Sequence, residues 1–328
     1  MKNKAIKLIA LLVAALLMVG SFAGCAGGGK NDRLRIVATI FPEYDWVRQI
    51  IGTDDGENTE LILLLDNGVD LHSYQPTVDD IIKITNCDMF IYVGGESDKW
   101  VDDALAQSKN KDMVAIDLLD VLGDSLREEE LVEGMEAEEE EDGEDEEEGP
   151  EYDEHVWLSL RNAAVLCRYI SDKLCGIDPE NAGRYKANTE AYIEKLNELD
   201  ARYQETVDAA PVKTLVFGDR FPFRYMTEDY GLDYYAAFLG CSAESEASFG
   251  TIVTLAGKVD ELGLHSVMQI ESSDGSIART VRDNTQSKDQ AIRMLDSMQS
   301  TTSDDVKSGV TYLSIMENNL AVLREALN

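Results

Sequence analysis

Two of the three histidines in this chain sit among neighbours suited to holding a metal ion. His72 lies in Asp70-Leu71-His72-Ser73-Tyr74-Gln75-Pro76-Thr77, and His155 in Glu151-Tyr152-Asp153-Glu154-His155-Val156-Trp157-Leu158. A neutral imidazole nitrogen is the commonest protein ligand for zinc and chemically similar metals. The two residues are 83 positions apart, so only a folded domain can bring them to one ion. His265 precedes a strand pattern at its amino end and reads as structural. Cys87, Cys167, Cys175 and Cys241 form no Cys-x-x-Cys pair, which argues against a zinc knuckle or a thioredoxin-like couple. They read as small buried apolar residues.

The elements that must position these groups come in two runs. Apolar strand patterns over 34–40, 60–65, 89–93 and 113–117 alternate with helix patterns over 42–51, 77–86 and 100–108. Thr77 and Asp80 form a capping-box pair at the start of the second of these helices. Short apolar strands separated by amphipathic helices predict a parallel α/β sheet. The alternation restarts with strands at 214–217, 234–238, 266–271 and 291–295, interleaved with helices and closed by one over 310–327. Between the runs, Tyr185, Tyr192, Ile193, Leu196, Leu199 and Tyr203 recur at helical spacing between Pro179 and Pro211. The expected fold is therefore α/β: two parallel-sheet lobes, 34–178 and 211–328, bridged by one long backbone helix over 179–210.

In parallel sheets, ligands gather at the carboxyl ends of strands. His72 follows the second strand of the first lobe, and His155 follows its fourth. Asp219 follows the first strand of the second lobe, Glu271 ends its third and Asp296 follows its last. An inter-lobe cleft would then hold two imidazoles and one to three carboxylates, a set that suits Zn²⁺ or Mn²⁺. Glu271 reads as a supporting residue, since strand-end position is its only claim.

The formal charge is −35. Residues 127–154 alone carry eighteen Asp or Glu against one Arg, and the remainder is still acidic at −18. Such a field repels nucleic acid and excludes it as a partner. The stretch from about 125 to 154 offers little to a core and is expected to be disordered. It lacks the spacing of an EF-hand, so it reads as a solvated loop or a weak collector of cations. At the N-terminus, Lys2, Lys4 and Lys7 precede an apolar run over 8–19, too short to span a bilayer and typical of a signal peptide. Ala23 and Gly24 before Cys25 resemble the lipobox of bacterial lipoproteins, although Phe22 replaces the usual Leu. That likeness implies a leader over 1–24, lipidation of Cys25 and a flexible tether over 25–33.

With these motifs in place, the chain resembles the solute-binding lipoproteins of zinc or manganese ABC importers. The likeness runs from Arg35 to Leu327. His72-Ser73-Tyr74-Gln75-Pro76-Thr77 is similar to the first ligand motif of that family, and His155 before Trp157-Leu158 to its second. The resemblance implies two lobes joined by a rigid helix, a transported Zn²⁺ or Mn²⁺ between them with zinc favoured, and a membrane permease as partner. It implies His72, His155 and Asp296 as metal ligands, an extracytoplasmic monomer anchored to the membrane, and no enzymatic activity. Three departures stand out. Gly218 occupies the usual third-ligand position, leaving either Asp219 as substitute or, if Arg220 pairs with Asp219, water or another acid; the insert is acidic rather than His-rich; and Ser159 replaces an Asp after Trp-Leu. A surface adhesin on the same scaffold is the alternative. A metal hydrolase is a weaker one, since the chain carries no His-Glu-x-x-His motif.

Overall fold

The computed structural model describes residues 33–52, 58–136, 151–242 and 246–328. The expected leader, Cys25, most of the tether and the centre of the acidic insert lie outside the described residues.

The first lobe is built on β1 (Leu34–Ala38), β2 (Thr59–Leu63), β3 (Met89–Tyr92) and β4 (Val114–Asp117), in the order β2-β1-β3-β4. β1 pairs in parallel with β3 through Val37 and Phe90, and β3 with β4 through Ile91 and Ile116. Ile36, Val37, Phe90 and Ile91 are fully buried, as expected where helices cover a parallel sheet. Those helices include α1 (Phe41–Ile51), α2 (Val78–Thr85), α3 (Val101–Ala106), α4 (Leu118–Leu122) and α5 (Leu160–Ile177). The capping box at α2 forms: the Thr77 hydroxyl donates to Asp80 Oδ2 at 2.7 Å and accepts from the Asp80 amide at 3.2 Å.

The pattern over 179–210 resolves into a turn followed by α6 (Ala182–Ala209). Pro179 sits in the turn, where its carbonyl accepts from the Ala182 amide at 3.4 Å. Twenty-eight residues make α6 about 42 Å long. Its buried stripe, Tyr185, Thr189, Tyr192, Leu196, Leu199, Tyr203 and Val207, keeps the 3.6-residue period. It packs on α5 and α1 of the first lobe and on helices of the second.

The second lobe repeats the order of the first: β5 (Thr214–Phe221), β6 (Asp233–Leu239), β7 (Ser266–Ile270) and β8 (Ala291–Leu295) run β6-β5-β7-β8. Around them lie α7 (Arg224–Tyr230), α8 (Phe249–Leu262), α9 (Ser276–Asn284), α10 (Ser303–Lys307) and α11 (Tyr312–Ala326). β5 extends past Phe217 through an irregularity and pairs again with β6 at Arg220 and Phe221. Gly218 and Asp219 therefore lie inside the strand rather than after it. At the chain's end, α11 returns to the first lobe. The Tyr312 amide donates to Asp45 Oδ2 of α1 at 2.9 Å, and the Tyr312 hydroxyl donates to the Trp157 carbonyl at 2.7 Å.

The disorder expected from about 125 to 154 does not extend to the described flanks. The Glu129 amide donates to the Glu151 carbonyl, and the Asp153 amide to the Arg127 carbonyl, both at 2.9 Å. Farther along, the Glu136 amide donates to the Ala237 carbonyl of edge strand β6 at 2.9 Å. Glu130 pairs with Arg224 and Glu133 with Lys258, each at 2.9 Å. Backbone pairing and basic partners on the second lobe offset the repulsion that composition alone implies.

Glu43, fully buried at the start of α1, accepts from the Thr39 amide and hydroxyl at 2.8 and 3.0 Å. Burial, reinforced by Asp98, pushes its pKa from 4.5 to about 8. A raised folded-state pKa means that the neutral acid contributes stability fully below the unfolded value, lost as pH rises through the folded one. Glu43→Gln stays neutral at every pH. Its stability relative to wild type should therefore rise between about pH 5 and about pH 8; urea midpoints that shift in parallel over this range would contradict the assignment.

Candidate metal centre

His72 stands in the 3-10 turn Leu71–Ser73 that follows β2. Asp70 caps this turn, accepting from the His72 amide at 3.0 Å. The second oxygen of Asp70 accepts from the Arg220 guanidinium of β5 at 3.0 Å, so the His72 loop is tied to the second lobe. Leu71 is buried beneath the turn. On the far side of the ring, His72 Nδ1 lies 2.7 Å from Ser97 Oγ and 3.5 Å from Glu154 Oε2.

His155 precedes a second 3-10 turn, Val156–Leu158. Its amide donates to Asp153 Oδ1 at 2.8 Å, and the same oxygen lies 3.1 Å from the ring Nδ1. The turn is held from the other lobe: the Trp157 indole donates to the Ser297 carbonyl at 2.9 Å. A Cβ on Gly95 would come within 2.4 Å of Glu154 Oε1, and one on Gly240 within 2.8 Å of His155 Cε1. Both glycines keep backbone close to the site where no side chain fits.

The two rings meet with Nε2 3.1 Å from Nε2. Each Nδ1 is directed at a carboxylate or hydroxyl oxygen, which orients the ring from behind. The two Nε2 atoms face each other as a hydrogen-bonded pair that would present both lone pairs to one point once the proton between them is lost. Zinc–imidazole bonds of about 2.0–2.1 Å at a tetrahedral angle put two such nitrogens about 3.3 Å apart. The observed spacing is close to that requirement.

Burial, helped by the neighbouring His155, holds the His72 pKa well below its usual value, so this ring is neutral. Burial pulls the same way at His155, but Asp153 and Glu154 outweigh it and the net direction is upward. Glu154, also buried, is raised by desolvation, and its Oε2 has no hydrogen-bond partner among the described residues.

Of the residues the sequence singles out, His72 and His155 converge. The third group is Cys241, whose Sγ lies within 4.8 Å of a ring nitrogen of each histidine. Neither Asp219 nor Asp296 belongs to this cluster. Asp219 Oδ1 accepts from the Arg220 amide at 2.9 Å and Oδ2 from the Ile270 amide at 3.2 Å. The Arg220 guanidinium binds Asp70, not Asp219 as a neighbour pairing would suggest. Asp296 accepts from the Met298 amide at 2.8 Å, and burial together with Glu271 raises its pKa to about 7. Glu271 accepts from the Ser297 amide at 2.7 Å and hydroxyl at 2.9 Å, fixing the loop after β8. His265 is exposed at the amino end of β7. Strand-end position, the criterion that picks out Asp219, applies equally to Gly240-Cys241 after β6. Ser97 carried no such signal beyond the preceding Gly94-Gly95.

Residues 36–326 match the family model described as zinc-uptake complex component A, periplasmic. The zinc-binding lipoprotein AdcA of Streptococcus pneumoniae (strain ATCC BAA-255 / R6) is 33% identical over 325 residues, 97% of this chain and 61% of that protein. The chain thus spans about three-fifths of that relative's length. The high-affinity zinc uptake system protein ZnuA of Bacillus subtilis (strain 168) is 28% identical, with 97% and 96% covered. Among solved structures, the Zn(II)-bound ZnuA-like domain of S. pneumoniae AdcA superposes with a TM-score of 0.69 at 28% identity, covering 90% of this chain and 99% of that one. The metal-dependent lipoprotein YcdH of B. subtilis gives 0.72 at 25% identity, with 90% and 99% covered.

Gly240→Ala should push the His155 ring aside, costing about 1–3 kcal/mol of stability and weakening zinc binding in titration calorimetry. Gly257→Ala, in α8 with open space around it, should be neutral or slightly stabilising and leave zinc binding unchanged. Equal effects of the two would remove the steric role given to Gly240.

Proposed function

The chain belongs to the zinc-uptake complex component A family, and from that premise we propose that it captures a divalent transition metal, zinc before manganese, and delivers it to an ABC-type permease. The observation that carries this reading is the pair of buried imidazole nitrogens 3.1 Å apart, each backed by an oxygen at Nδ1. Two preformed nitrogen ligands at zinc-like spacing need little reorganisation when the ion enters. His72 and His155 are the ligands of the first lobe. Asp296, at the carboxyl end of β8, is the carboxylate the second lobe offers to this edge. Asp219 is better suited to bracing β5 against β7, since its Oδ2 accepts from the Ile270 amide while Oδ1 accepts from its neighbour Arg220.

A carrier must release its cargo as well as bind it. The site fits that need because its walls come from two lobes linked at the rim by the Asp70–Arg220 pair. Parting the lobes would break that pair and expose the histidines. Delivery at a membrane accords with a leader over 1–24 and lipidation at Cys25. No helix among the described residues is long and apolar enough to cross a membrane.

Zinc should raise the melting temperature of the wild-type protein by mass action, and His72→Ala or His155→Ala should abolish most of that rise. Unaltered zinc affinity in both variants would eliminate this site. Asp153→Asn, which leaves the His155 ring less firmly oriented, should lower affinity about 10–100-fold, as losses behind a metal ligand do. Calorimetric titration of the three variants ranks them: His155→Ala weaker than Asp153→Asn, and Asp153→Asn weaker than wild type.

A further inference from the structure

We propose that Cys241 is the third metal ligand, so that the second lobe contributes a thiolate and the site becomes a nitrogen–nitrogen–sulfur site selective for zinc. This deepens the metal-capture reading above and rests on it. The ligand atoms of His72, His155 and Cys241 all lie within 4.8 Å of one another, and no other such trio of His, Cys, Asp or Glu occurs among the described residues.

Of the other second-lobe positions, 218 is blocked, Asp219 is engaged, and Asp296 lies outside the cluster and could at most add a fourth bond. Position 218 has no side chain, and the fold gives it none: a Cβ there would lie 2.4 Å from Ala278 Cα and 2.7 Å from Ala278 N, on the backbone of α9. Any ligating side chain at 218 would have to displace that helix. Asp219 next to it accepts one backbone amide with each oxygen. The strand end that brings a ligand atom into the histidine cluster is that of β6, where Gly240 and Cys241 follow Leu239. Gly240 is what lets this backbone in. A Cβ there would meet His155 Cε1 at 2.8 Å, His155 Nδ1 at 3.1 Å and the Phe221 carbonyl at 2.9 Å. The next residue is thereby delivered beside the same ring. The glycine and the cysteine act as a pair, one giving access and the other the donor atom.

With Zn–N about 2.05 Å and Zn–S about 2.3 Å, a tetrahedral site needs nitrogen-to-sulfur distances of about 3.6 Å. A shift of about an ångström, within reach of a side-chain rotation, brings Sγ from the limit of the observed cluster to that distance. On binding, the S–H bond breaks, the sulfur lone pair forms the bond to Zn²⁺ and the proton leaves to solvent, so binding one ion releases one thiol proton. A soft thiolate favours zinc over manganese, whose preferred ligands are oxygens. The site would thereby reject manganese by ligand type even where it is abundant.

Cobalt(II) reports the donor set directly. The test uses the full chain loaded with Co²⁺ alone, compared with Cys241→Ser and Cys241→Ala. A near-ultraviolet thiolate-to-cobalt charge-transfer band in the wild type, lost in both variants while visible d–d absorption persists, is the expected result. Zinc affinity should fall in the variants by at least about tenfold, since even outer-shell losses cost about 10–100-fold, and the preference for zinc over manganese should narrow. Visible d–d absorption without a charge-transfer band in the wild type would overturn the cysteine and leave the histidine pair intact. Absence of any cobalt binding would overturn the metal-capture reading itself. X-ray absorption of the zinc-loaded wild type gives a second readout that needs no variant: a sulfur scatterer at about 2.3 Å is expected, and a shell of nitrogen and oxygen alone rejects the proposal.

Discussion

Two imidazole Nε2 atoms only 3.1 Å apart, in a place water scarcely reaches, form the contact on which the candidate site depends. A buried polar atom without a partner costs about 1–3 kcal/mol, and here each ring nitrogen meets the other, so one must donate to its neighbour. The local structure exists to keep them there. Asp153 and Ser97 hold the rings from the Nδ1 side, and Asp70 fixes the turn that carries His72. Gly95 leaves room for Glu154 behind them, and Gly240 leaves room for the β6 loop in front. A divalent cation bound between the nitrogens, as proposed, would replace that contact with two metal–nitrogen bonds.

That geometry needs both lobes. Each sheet has the same strand order, with its first and third strands adjacent and the chain diverging on either side of them. Loops at the carboxyl edge of such a sheet surround a crevice, and the two lobes bring their crevices together. The histidines come from the first lobe, while Arg220, Ser297 and Cys241 approach from the second. The lobes are joined along the other side by α6 and by α11, whose Tyr312 reaches both α1 and the Trp157 turn. A shallowly buried ion pair such as Asp70–Arg220 contributes modestly to stability. Its importance is positional, since Asp70 also holds the His72 amide.

The acidity of the chain has a local counterpart at the site. Asp70, Asp153 and Glu154 surround two neutral or singly protonated rings, and Glu129 lies against the Cys241 thiol. Carboxylates that do not themselves ligate still lower the energy of a cation nearby and speed its arrival. The described flanks of the insert bind the second lobe through Glu130 and Glu133. This ties the described start of the acidic stretch to the second lobe.

Much of this was legible in the sequence because it is local. Strand and helix alternation, the Thr77 capping box and the apolar stripe of α6 follow from periodicity that each segment carries within itself. The two histidine motifs were equally visible, since their flanking Asp, Tyr-x-Pro and Trp-Leu residues lie within a few positions. The partners across the fold were not. Arg220 pairs with Asp70, 150 positions away, rather than with the adjacent Asp219. β5 continues through Gly218 because β6 pairs with its far end. The acidic flanks are ordered because Arg224, Lys258 and an edge strand meet them. Cys241 looked like any small buried residue until β6 brought it to His155. Sequence determines which groups can bind a metal and what elements carry them; which of those groups meet is decided by sheet register and lobe contact, which join residues too distant in the chain for any local pattern to record.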